Sequence, residues 1–240
     1  MNLPLPTDAR DDRLDALRGV AMVWMTVFHF SFDLQHQGFF KANFYEDPFW
    51  TLQRTCIVSL FLLCAGVGQA VAVSQGQGWP RFWRRWAQIA GCALLVSAGS
   101  WFMFPRSYIS FGVLHGMAVM LIVLRLLLPR LGQGALLALA LACLLVPVWA
   151  RHPVFDTRWT NWVGLVTHKP VTEDYVPVLP WLGVMLLGAA LARWVAPRLG
   201  PPRPSGRLRG GLALLGRWSL SYYMVHQPVL IGALMLWQMR

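Results

Sequence analysis

Seven long apolar segments make up most of this chain, and they constrain its fold more than any other feature. Each is long enough to cross a hydrocarbon layer of about 30 Å as a helix. Only short polar connections lie between them, so little sequence remains for a soluble domain. We predict one all-α domain over residues 1–240, a polytopic membrane helical bundle with about seven transmembrane helices. The segments are 14–32, 51–73, 83–104, 109–128, 133–150, 177–196 and 213–237.

Composition supports a membrane protein and argues against an ordinary soluble domain. The chain is 56% hydrophobic and 13% charged, whereas soluble domains have about 25% charged residues. Its four cysteines show no CxxC spacing, so neither a zinc site nor a disulfide framework is indicated. We therefore expect no metal, and the lipid bilayer is the first partner that the sequence predicts.

The distribution of basic residues predicts an orientation. With a cytoplasmic N-terminus, 14 of the 21 lysines and arginines fall on the cytoplasmic side of the seven segments. The positive-inside rule then favours an N-in, C-out topology. This topology accounts for most of the formal net charge of +11, so no nucleic-acid-binding surface is needed to explain it.

The connections between the segments differ in character. Residues 1–12 form a polar tail without the apolar core of a cleaved signal peptide, so the first segment is expected to stay as an anchor. Residues 197–212 are rich in proline, glycine and arginine, which is typical of a mobile cytoplasmic linker. The two longest outer connections, 33–50 and 151–176, carry aromatic and charged residues, and we expect partly ordered loops there.

The first segment has ionisable side chains on one helical face. Arg18, Met22, Met25, His29 and Asp33 recur at steps of 4, 3, 4 and 4 residues, which is one face of an α-helix. An ionisable residue inside a membrane helix costs about 2.5–3.5 kcal/mol on insertion scales, and such residues are functional candidates. This face is therefore the first candidate for a functional site.

Two further histidines lie inside apolar segments. His115 is in the fourth segment and His226 in the last, where one side is lined by Ser219, Tyr222, Tyr223 and His226. Pro228 donates no backbone hydrogen bond, so it predicts a kink beside His226. A kinked helix rich in hydroxyl groups is suited to lining a water-filled cavity. Alternatively, His226 only forms a hydrogen bond to a neighbouring helix.

Four motifs in order resemble the heparan-α-glucosaminide N-acetyltransferase-like family, specifically its small bacterial members. The first also resembles the wider group of integral-membrane acyltransferases that modify cell-surface sugars. The motifs are Arg13-Leu-Asp-Ala-Leu-Arg-Gly19 with Met25, His29 and Asp33, then Phe111-Gly-Val-Leu-His115, Pro180-Trp-Leu-Gly183, and Ser219-Leu-Ser-Tyr-Tyr-Met-Val-His-Gln-Pro228.

The resemblance implies an enzyme that moves an acetyl or related acyl group from cytoplasmic acyl-CoA, such as acetyl-CoA, to a sugar outside the membrane. It also implies a multi-pass protein of the inner (plasma) membrane. Characterised members use a histidine near the outer side. In the animal lysosomal enzyme that histidine falls near Ala42 or Asn43 of this chain, where none is present. We therefore assign the catalytic role to His29, with His36 as the weaker substitute.

The chemistry assigns roles to the charged residues of this face. His29 is expected to act as a general base or as an acyl carrier. Asp33, one turn later, is expected to orient its ring or to stabilise its protonated form, as the third member of a catalytic triad does. Arg18 and Arg217 are the basic residues best placed to bind the phosphates of CoA. The alternatives are an ion pair of Arg18 with Asp15 and simple cytoplasmic anchoring for Arg217.

Four further residues are expected to bind the saccharide acceptor: His115, Tyr222, His226 and Gln227.

Two other functions stay open: a small transporter or proton-coupled permease, and a non-catalytic subunit of an envelope complex. Inverted repeats are common in transporters, and the sequence shows no repeat. A homo-oligomer is possible.

Overall fold

A computed structural model describes residues 12–195 and 206–239 of the chain. This part is all-α and has no strand beyond an isolated bridge between Phe111 and Tyr175, so the predicted fold class is confirmed at that level. The helices are α1 (Arg13–His36), α2 (Pro48–Ser74), α3 (Trp79–Met103), α4 (Val113–Leu127), α5 (Gln133–Trp149), α6 (Val178–Val195), α7 (Arg207–Arg217) and α8 (Ser219–Gln238), with short 3-10 turns at Pro153–Phe155 and Asn161–Val163.

Two of these helices, α2 and α3, are both long and apolar enough to cross a membrane. Helices α4, α5 and α6 are apolar but shorter. Helices α1 and α8 have 24 and 20 residues but are not among the helices apolar enough to cross a membrane. The count of seven spans is therefore not confirmed by the helices, and it stays a prediction.

The last predicted segment, 213–237, is not one helix. Helix α7 ends at Arg217, α8 begins at Ser219, and Trp218 between them has φ −95° and ψ 17°. The physical reason lies in α7, which carries three arginines and is amphipathic rather than apolar. It therefore forms a separate short helix and does not extend α8.

The chain divides into two compact units, residues 1–60 with 197–240, and residues 61–196. Nothing in this division tests the prediction of one membrane domain. The predicted tail lies outside the described residues except for Asp12, as do residues 197–205 of the predicted linker. The linker's last residues, from Arg207, are helical and belong to α7.

In the first unit, α1 packs along α7 and α8. Two glycines allow the close approach of α1 and α7. A Cβ atom at Gly19 would overlap the carbonyl oxygen of Leu212, and one at Gly216 would overlap the carbonyl oxygen of Asp15. Any larger residue at either position would force the two helices apart.

In the second unit, α5 packs against α6, α3 against α4, and α4 against α6. Arginines satisfy backbone carbonyls near the helix ends. Arg193 donates to the carbonyl oxygens of Leu128 (2.5 Å) and Leu131 (2.6 Å), just after α4. Arg125 donates to the carbonyl oxygen of Gln77. Such bonds satisfy the free carbonyl groups at the C-termini of helices and in the turns between them.

The two long loops predicted on the outer side are partly ordered. In the first, Asn43 Oδ1 accepts hydrogen bonds from the backbone N–H groups of Tyr45 and Glu46, both at 3.1 Å. In the second, the segment before α6 pairs with the segment before α4 through the Phe111–Tyr175 bridge. Both loops therefore have defined backbone structure.

Candidate functional site

The predicted polar face of α1 is turned toward the interior of the first unit. Met22, Met25 and Asp33 are buried, with 1%, 3% and 6% exposure. His29 lies on the same face, between Met25 and Asp33, and is half-buried. The periodicity therefore identified the buried face correctly. Two of the ionisable groups on it, His29 and Asp33, meet partners from α8.

His29 and His226 form a pair across α1 and α8. Nδ1 of His29 lies 3.0 Å from Nε2 of His226, and the ring centroids are 5.0 Å apart. His226 is 8% exposed. His226 therefore makes the hydrogen bond to a neighbouring helix that the alternative interpretation describes, and its partner is the predicted catalytic residue. Its predicted role in binding the acceptor stays a prediction.

The hydrogen bonds around this pair determine which nitrogens carry protons. Nδ1 of His226 lies 2.7 Å from the carbonyl oxygen of Tyr223. A carbonyl oxygen only accepts, so this Nδ1 carries the proton and Nε2 of neutral His226 has a lone pair. His29 must then donate its own Nδ1–H to that lone pair. In the neutral pair, Nε2 of His29 is consequently unprotonated, and it has no hydrogen-bond partner among the described residues.

Tyr222 holds the pair in place from α8. Its hydroxyl lies 2.7 Å from Oγ1 of Thr26, which itself donates to the carbonyl oxygen of Met22 at 2.8 Å. The Thr26 hydroxyl therefore accepts a hydrogen bond from the Tyr222 hydroxyl. The Tyr222 ring also stacks on His226, with 5.9 Å between centroids and 10° between planes. These contacts limit rotation of the His226 ring.

Asp33 makes no side-chain hydrogen bond or ion pair with His29 among the described residues, so its expected role in orienting that ring stays a prediction. Its Oδ1 accepts a hydrogen bond from Nε2 of Gln227 at 2.9 Å. The side chain that is hydrogen-bonded to His29 is that of His226. The reason is that α8 packs against this face of α1 and presents His226 and Gln227 in sequence, one opposite each ionisable residue.

Three buried acceptor atoms at this end of α1 have no hydrogen-bond partner among the described residues: Asp33 Oδ2, Gln37 Oε1 and Gln227 Oε1. Buried acceptors without partners are unfavourable, so such atoms are suited to receive donors from a ligand or water. Gln37 is absent from the sequence-based assignment. The signal was available, since Gln37 follows Asp33 by four residues and so continues the same helical face.

Arg18 and Arg217, the two predicted CoA ligands, converge on one carboxylate. Nη1 of Arg18 lies 2.9 Å from Oδ1 of Asp15, and Nε of Arg217 lies 3.5 Å from Oδ2. Asp15 is 2% exposed, whereas the Arg217 side chain is 47% exposed. The alternative ion pair of Arg18 with Asp15 is thus present. The structure adds that Arg217 shares this carboxylate.

His115 lies in the second unit and has local partners there. Its Nδ1 accepts the backbone N–H of Gly112 at 3.3 Å, and its Nε2 lies 3.1 Å from Oγ of Ser97. Ser97 donates to the carbonyl oxygen of Ile109 at 2.6 Å, so neutral His115 donates from Nε2. These bonds cap the start of α4. Its predicted role in binding substrate stays a prediction.

The described residues contain no group of three or more histidine, cysteine, aspartate or glutamate side chains that could hold a metal ion. The weaker catalytic alternative, His36, stacks on Phe32 with 6.4 Å between ring centroids. Among the histidines of α1, only His29 is hydrogen-bonded to another titratable side chain within the described ranges. His29 therefore remains the centre of the candidate site.

Comparison with known protein families identifies the chain. Residues 10–228 match the model of the heparan-alpha-glucosaminide N-acetyltransferase catalytic domain. Comparisons with curated proteins and with solved structures gave no match. The matched range includes every residue of the site built above. Because it covers most of the 240 residues, the chain belongs to the heparan-alpha-glucosaminide N-acetyltransferase catalytic-domain family.

Proposed function

We propose that this protein is an integral-membrane acetyltransferase that moves an acetyl group from cytoplasmic acetyl-CoA to a saccharide on the outer side of the membrane. The observation that carries the proposal is the chain of hydrogen bonds from the Tyr223 carbonyl through His226 to His29, which implies that Nε2 of neutral His29 is unprotonated. Family membership supports the reaction class and the acyl-CoA donor. The acceptor and the topology are part of the proposal.

The reaction needs a base that can also return a proton. Nε2 of His29 removes a proton from the acceptor hydroxyl or amine, and the acceptor oxygen or nitrogen attacks the thioester carbonyl carbon. The C–S bond of the tetrahedral intermediate then breaks. The departing CoA thiolate takes the proton from Nε2, so the residue returns to its starting state. In a two-step variant, Nε2 itself takes the acetyl group and passes it to the acceptor.

His226 supports this cycle as a positioning residue. When Nε2 of His29 is protonated, its Nδ1–H still donates to Nε2 of His226, and the positive charge is shared between the two rings. The Tyr223 carbonyl keeps Nδ1 of His226 protonated throughout. This arrangement does what the buried carboxylate does in a catalytic triad, which is to hold one tautomer and stabilise the imidazolium.

The two ends of α1 differ in the side chains around them. Hydrogen-bond acceptors lie at the proposed acceptor end, near Asp33, and arginines lie at the proposed donor end, near Asp15. The unpartnered oxygens of Asp33, Gln37 and Gln227 are suited to the hydroxyl and amino groups of a sugar. Arg18 and Arg217 both lie against Asp15, and the Arg217 side chain is half exposed. An exposed guanidinium group is suited to the phosphates of CoA.

Exposed apolar side chains support the membrane location. On α3, Leu94 and Leu95 are 68% and 64% exposed, and on α5, Leu141 and Val148 are 56% and 59% exposed. Apolar surface on this scale is typical of a protein covered by lipid or by a partner. Together with the basic-residue distribution, it favours an N-in, C-out multi-pass protein of the inner membrane.

The test uses the full chain in detergent with radiolabelled acetyl-CoA and a panel of amino and neutral sugars. Wild type is expected to release CoA and label an acceptor. His29→Ala is expected to lower kcat by about 100- to 10,000-fold, the range for loss of a general base. His152→Ala, at an exposed loop histidine, is the matched control and is expected to keep wild-type activity. A folded His29→Ala protein with an unchanged transfer rate would rule out the proposed mechanism.

A further inference from the structure

The second unit has a loop layer that the proposed transfer reaction does not use. Residues 104–112, before α4, are joined to residues 170–176, before α6, by direct hydrogen bonds. Ser107 Oγ donates to Glu173 Oε1 at 2.5 Å, and Thr172 Oγ1 donates to the Tyr108 carbonyl oxygen at 3.0 Å. These bonds give the layer a fixed backbone.

A second set of contacts fixes the 3-10 turn at Asn161–Val163 to this layer. The Tyr175 hydroxyl donates to the Asn161 carbonyl oxygen at 2.6 Å. Burial raises the pKa of Tyr175, so the hydroxyl keeps its proton and remains a donor. Because the loop layer includes residues 104–112, this hydrogen bond also holds the Asn161–Val163 turn in position relative to the residues before α4.

Between these loops lies a polar cleft of about 240 Å³. This volume is below the range of about 300–1,000 Å³ typical of drug-sized ligands, so it suits a molecule of about the size of one sugar. Three cationic side chains and one carboxylate line it: Arg106, Arg158, Lys169 and Asp156. The cleft also borders Asn161, which is 2% exposed.

The two arginines are not neutralised by carboxylates. Within residues 12–195 and 206–239, Arg106 makes no ion pair or hydrogen bond, and Arg158 makes only a cation–π contact with the Tyr108 ring, 5.1 Å from its centroid. That contact leaves the N–H groups of the planar Arg158 guanidinium available for hydrogen bonds to a ligand. Two guanidinium groups beside one cleft are a common arrangement for a carboxylate, sulfate or phosphate.

The one carboxylate in the cleft already has its own donors. Asp156 accepts the backbone N–H of Thr167 at 2.8 Å and the Thr167 hydroxyl at 2.6 Å. These bonds lower the pKa of Asp156, the hydroxyl contributing most, so the group stays ionised and bound to its own loop. His168 lies 3.6 Å from the same carboxylate. Asp156 therefore forms no ion pair with Arg106 or Arg158 in the described residues, and the two positive charges of these arginines exceed its single negative charge.

We propose that this cleft is a binding site for a small hydroxylated anion, with its oxyanion held by Arg106 and Arg158. Asn161 supplies the complementary acceptor for a ligand hydroxyl, since its Oδ1 is buried without a partner among the described residues. The chemistry is that of a phosphate, sulfate or carboxylate on a molecule of monosaccharide size. The inference is independent of the proposed acetyl transfer.

The test measures binding of glucose 6-phosphate to the full chain in detergent by calorimetry, with glucose as the neutral control of similar size. Glucose 6-phosphate is expected to bind and glucose to bind at least about tenfold more weakly, because the arginines supply the main contacts. Arg106→Gln and Arg158→Gln are each expected to weaken binding about tenfold. Arg151→Gln is the matched control. Arg151 lies in the same loop but donates to the Pro147 carbonyl oxygen and does not line the cleft.

Three outcomes decide the inference, provided that the variants keep the wild-type unfolding temperature. Selective loss in the Arg106 and Arg158 variants supports the site. Equal binding of glucose and glucose 6-phosphate, or equal loss in Arg151→Gln, overturns it. The same assay in nanodiscs identifies the source of the oxyanion. If phosphatidylglycerol competes with glucose 6-phosphate in wild type, and the residual binding in Arg106→Gln and Arg158→Gln shows no such competition, the cleft binds a lipid headgroup. Without competition in wild type, it binds a soluble anion.

Discussion

The two units use their polar side chains in different ways. In the first unit, side chains bond to one another between helices, as His29 does with His226 at 3.0 Å. In the second, they bond mainly to backbone groups at helix ends and in loops, as His115 does with Gly112 and Arg193 with the carbonyl of Leu128. A bond to the backbone satisfies a helix terminus and maintains shape. A bond between titratable rings sets a protonation state, which is a requirement of catalysis.

Substitution of His226 is expected to give the largest effect that distinguishes a side chain that sets a protonation state from one that maintains shape. His226→Leu removes the acceptor for Nδ1–H of His29, and kcat is expected to fall about 100-fold, since general acid–base catalysis contributes this much or more. His226→Gln keeps an acceptor oxygen but cannot share a proton, so a smaller loss is expected. The measurement is kcat, KM for acetyl-CoA and the pH–rate profile. A purely structural role would lower the unfolding temperature of both variants and leave the shape of the pH–rate profile unchanged.

The next effect concerns the packing of α1 on α7. In Gly216→Ala, the new methyl group meets the Asp15 carbonyl oxygen, and the free energy of unfolding is expected to fall by about 1–3 kcal/mol from overpacking. Gly211→Ala is the matched control on the same helix, because a Cβ there meets nothing within 4 Å. It is expected to stabilise the protein by up to about 1 kcal/mol through helix propensity. Equal unfolding temperatures for the two variants would contradict the close approach of the helices.

A smaller effect is expected from the histidine of the second unit. His115→Ala removes the side chain that caps α4, so the expected loss is about 1 kcal/mol of unfolding free energy, as for other caps. The kcat per folded molecule is expected to stay near wild type, whereas a raised KM for the acceptor would support the predicted role of His115 in binding it. Thermal unfolding and kcat measured on one preparation check this. A loss of kcat as large as that of His29→Ala, without a change in KM or stability, would move His115 into the catalytic site.

The smallest effect is a local dependence on pH at Asp156. Its pKa is lowered in the folded protein, so the bonds to Thr167 stabilise the loop above the ordinary pKa of 3.8 and are lost as the pH falls through the lowered value. Hydrogen exchange at the Thr167 amide is expected to show constant protection at neutral and mildly acidic pH and a decrease at lower pH. In Asp156→Asn this dependence should disappear. Unchanged pH dependence in that variant would assign the effect to another group.

The parts of the site that lie on a single helix could be predicted from the sequence, because helical periodicity depends only on residues that are close along the chain. The steps from Arg18 to Asp33 identified the buried face of α1, and the spacing of Asp15 and Arg18 suggested their ion pair. The same reasoning extended one turn further reaches Gln37. Helix boundaries for α2 to α6 also follow closely from the apolar runs.

The long-range parts were not accessible. His29 and His226 are 197 residues apart, and no pattern in either helix determines which residues of α1 and α8 lie opposite each other. The register is set by packing, including the contact of Gly216 with the Asp15 backbone. The same limit applies to the cleft, since Arg106 and Arg158 come together only through bonds between separate loops.

The single non-helical residue between α7 and α8 links the two ends of the first unit mechanically. Arg217 ends one helix and His226 lies about two turns into the next, with only Trp218 between the helices. If acyl-CoA binds Arg217 as proposed, it would draw this side chain away from Asp15 just before the start of α8, about two turns before His226, the hydrogen-bond partner of the proposed base. Binding of the donor and the position of that partner would then be linked.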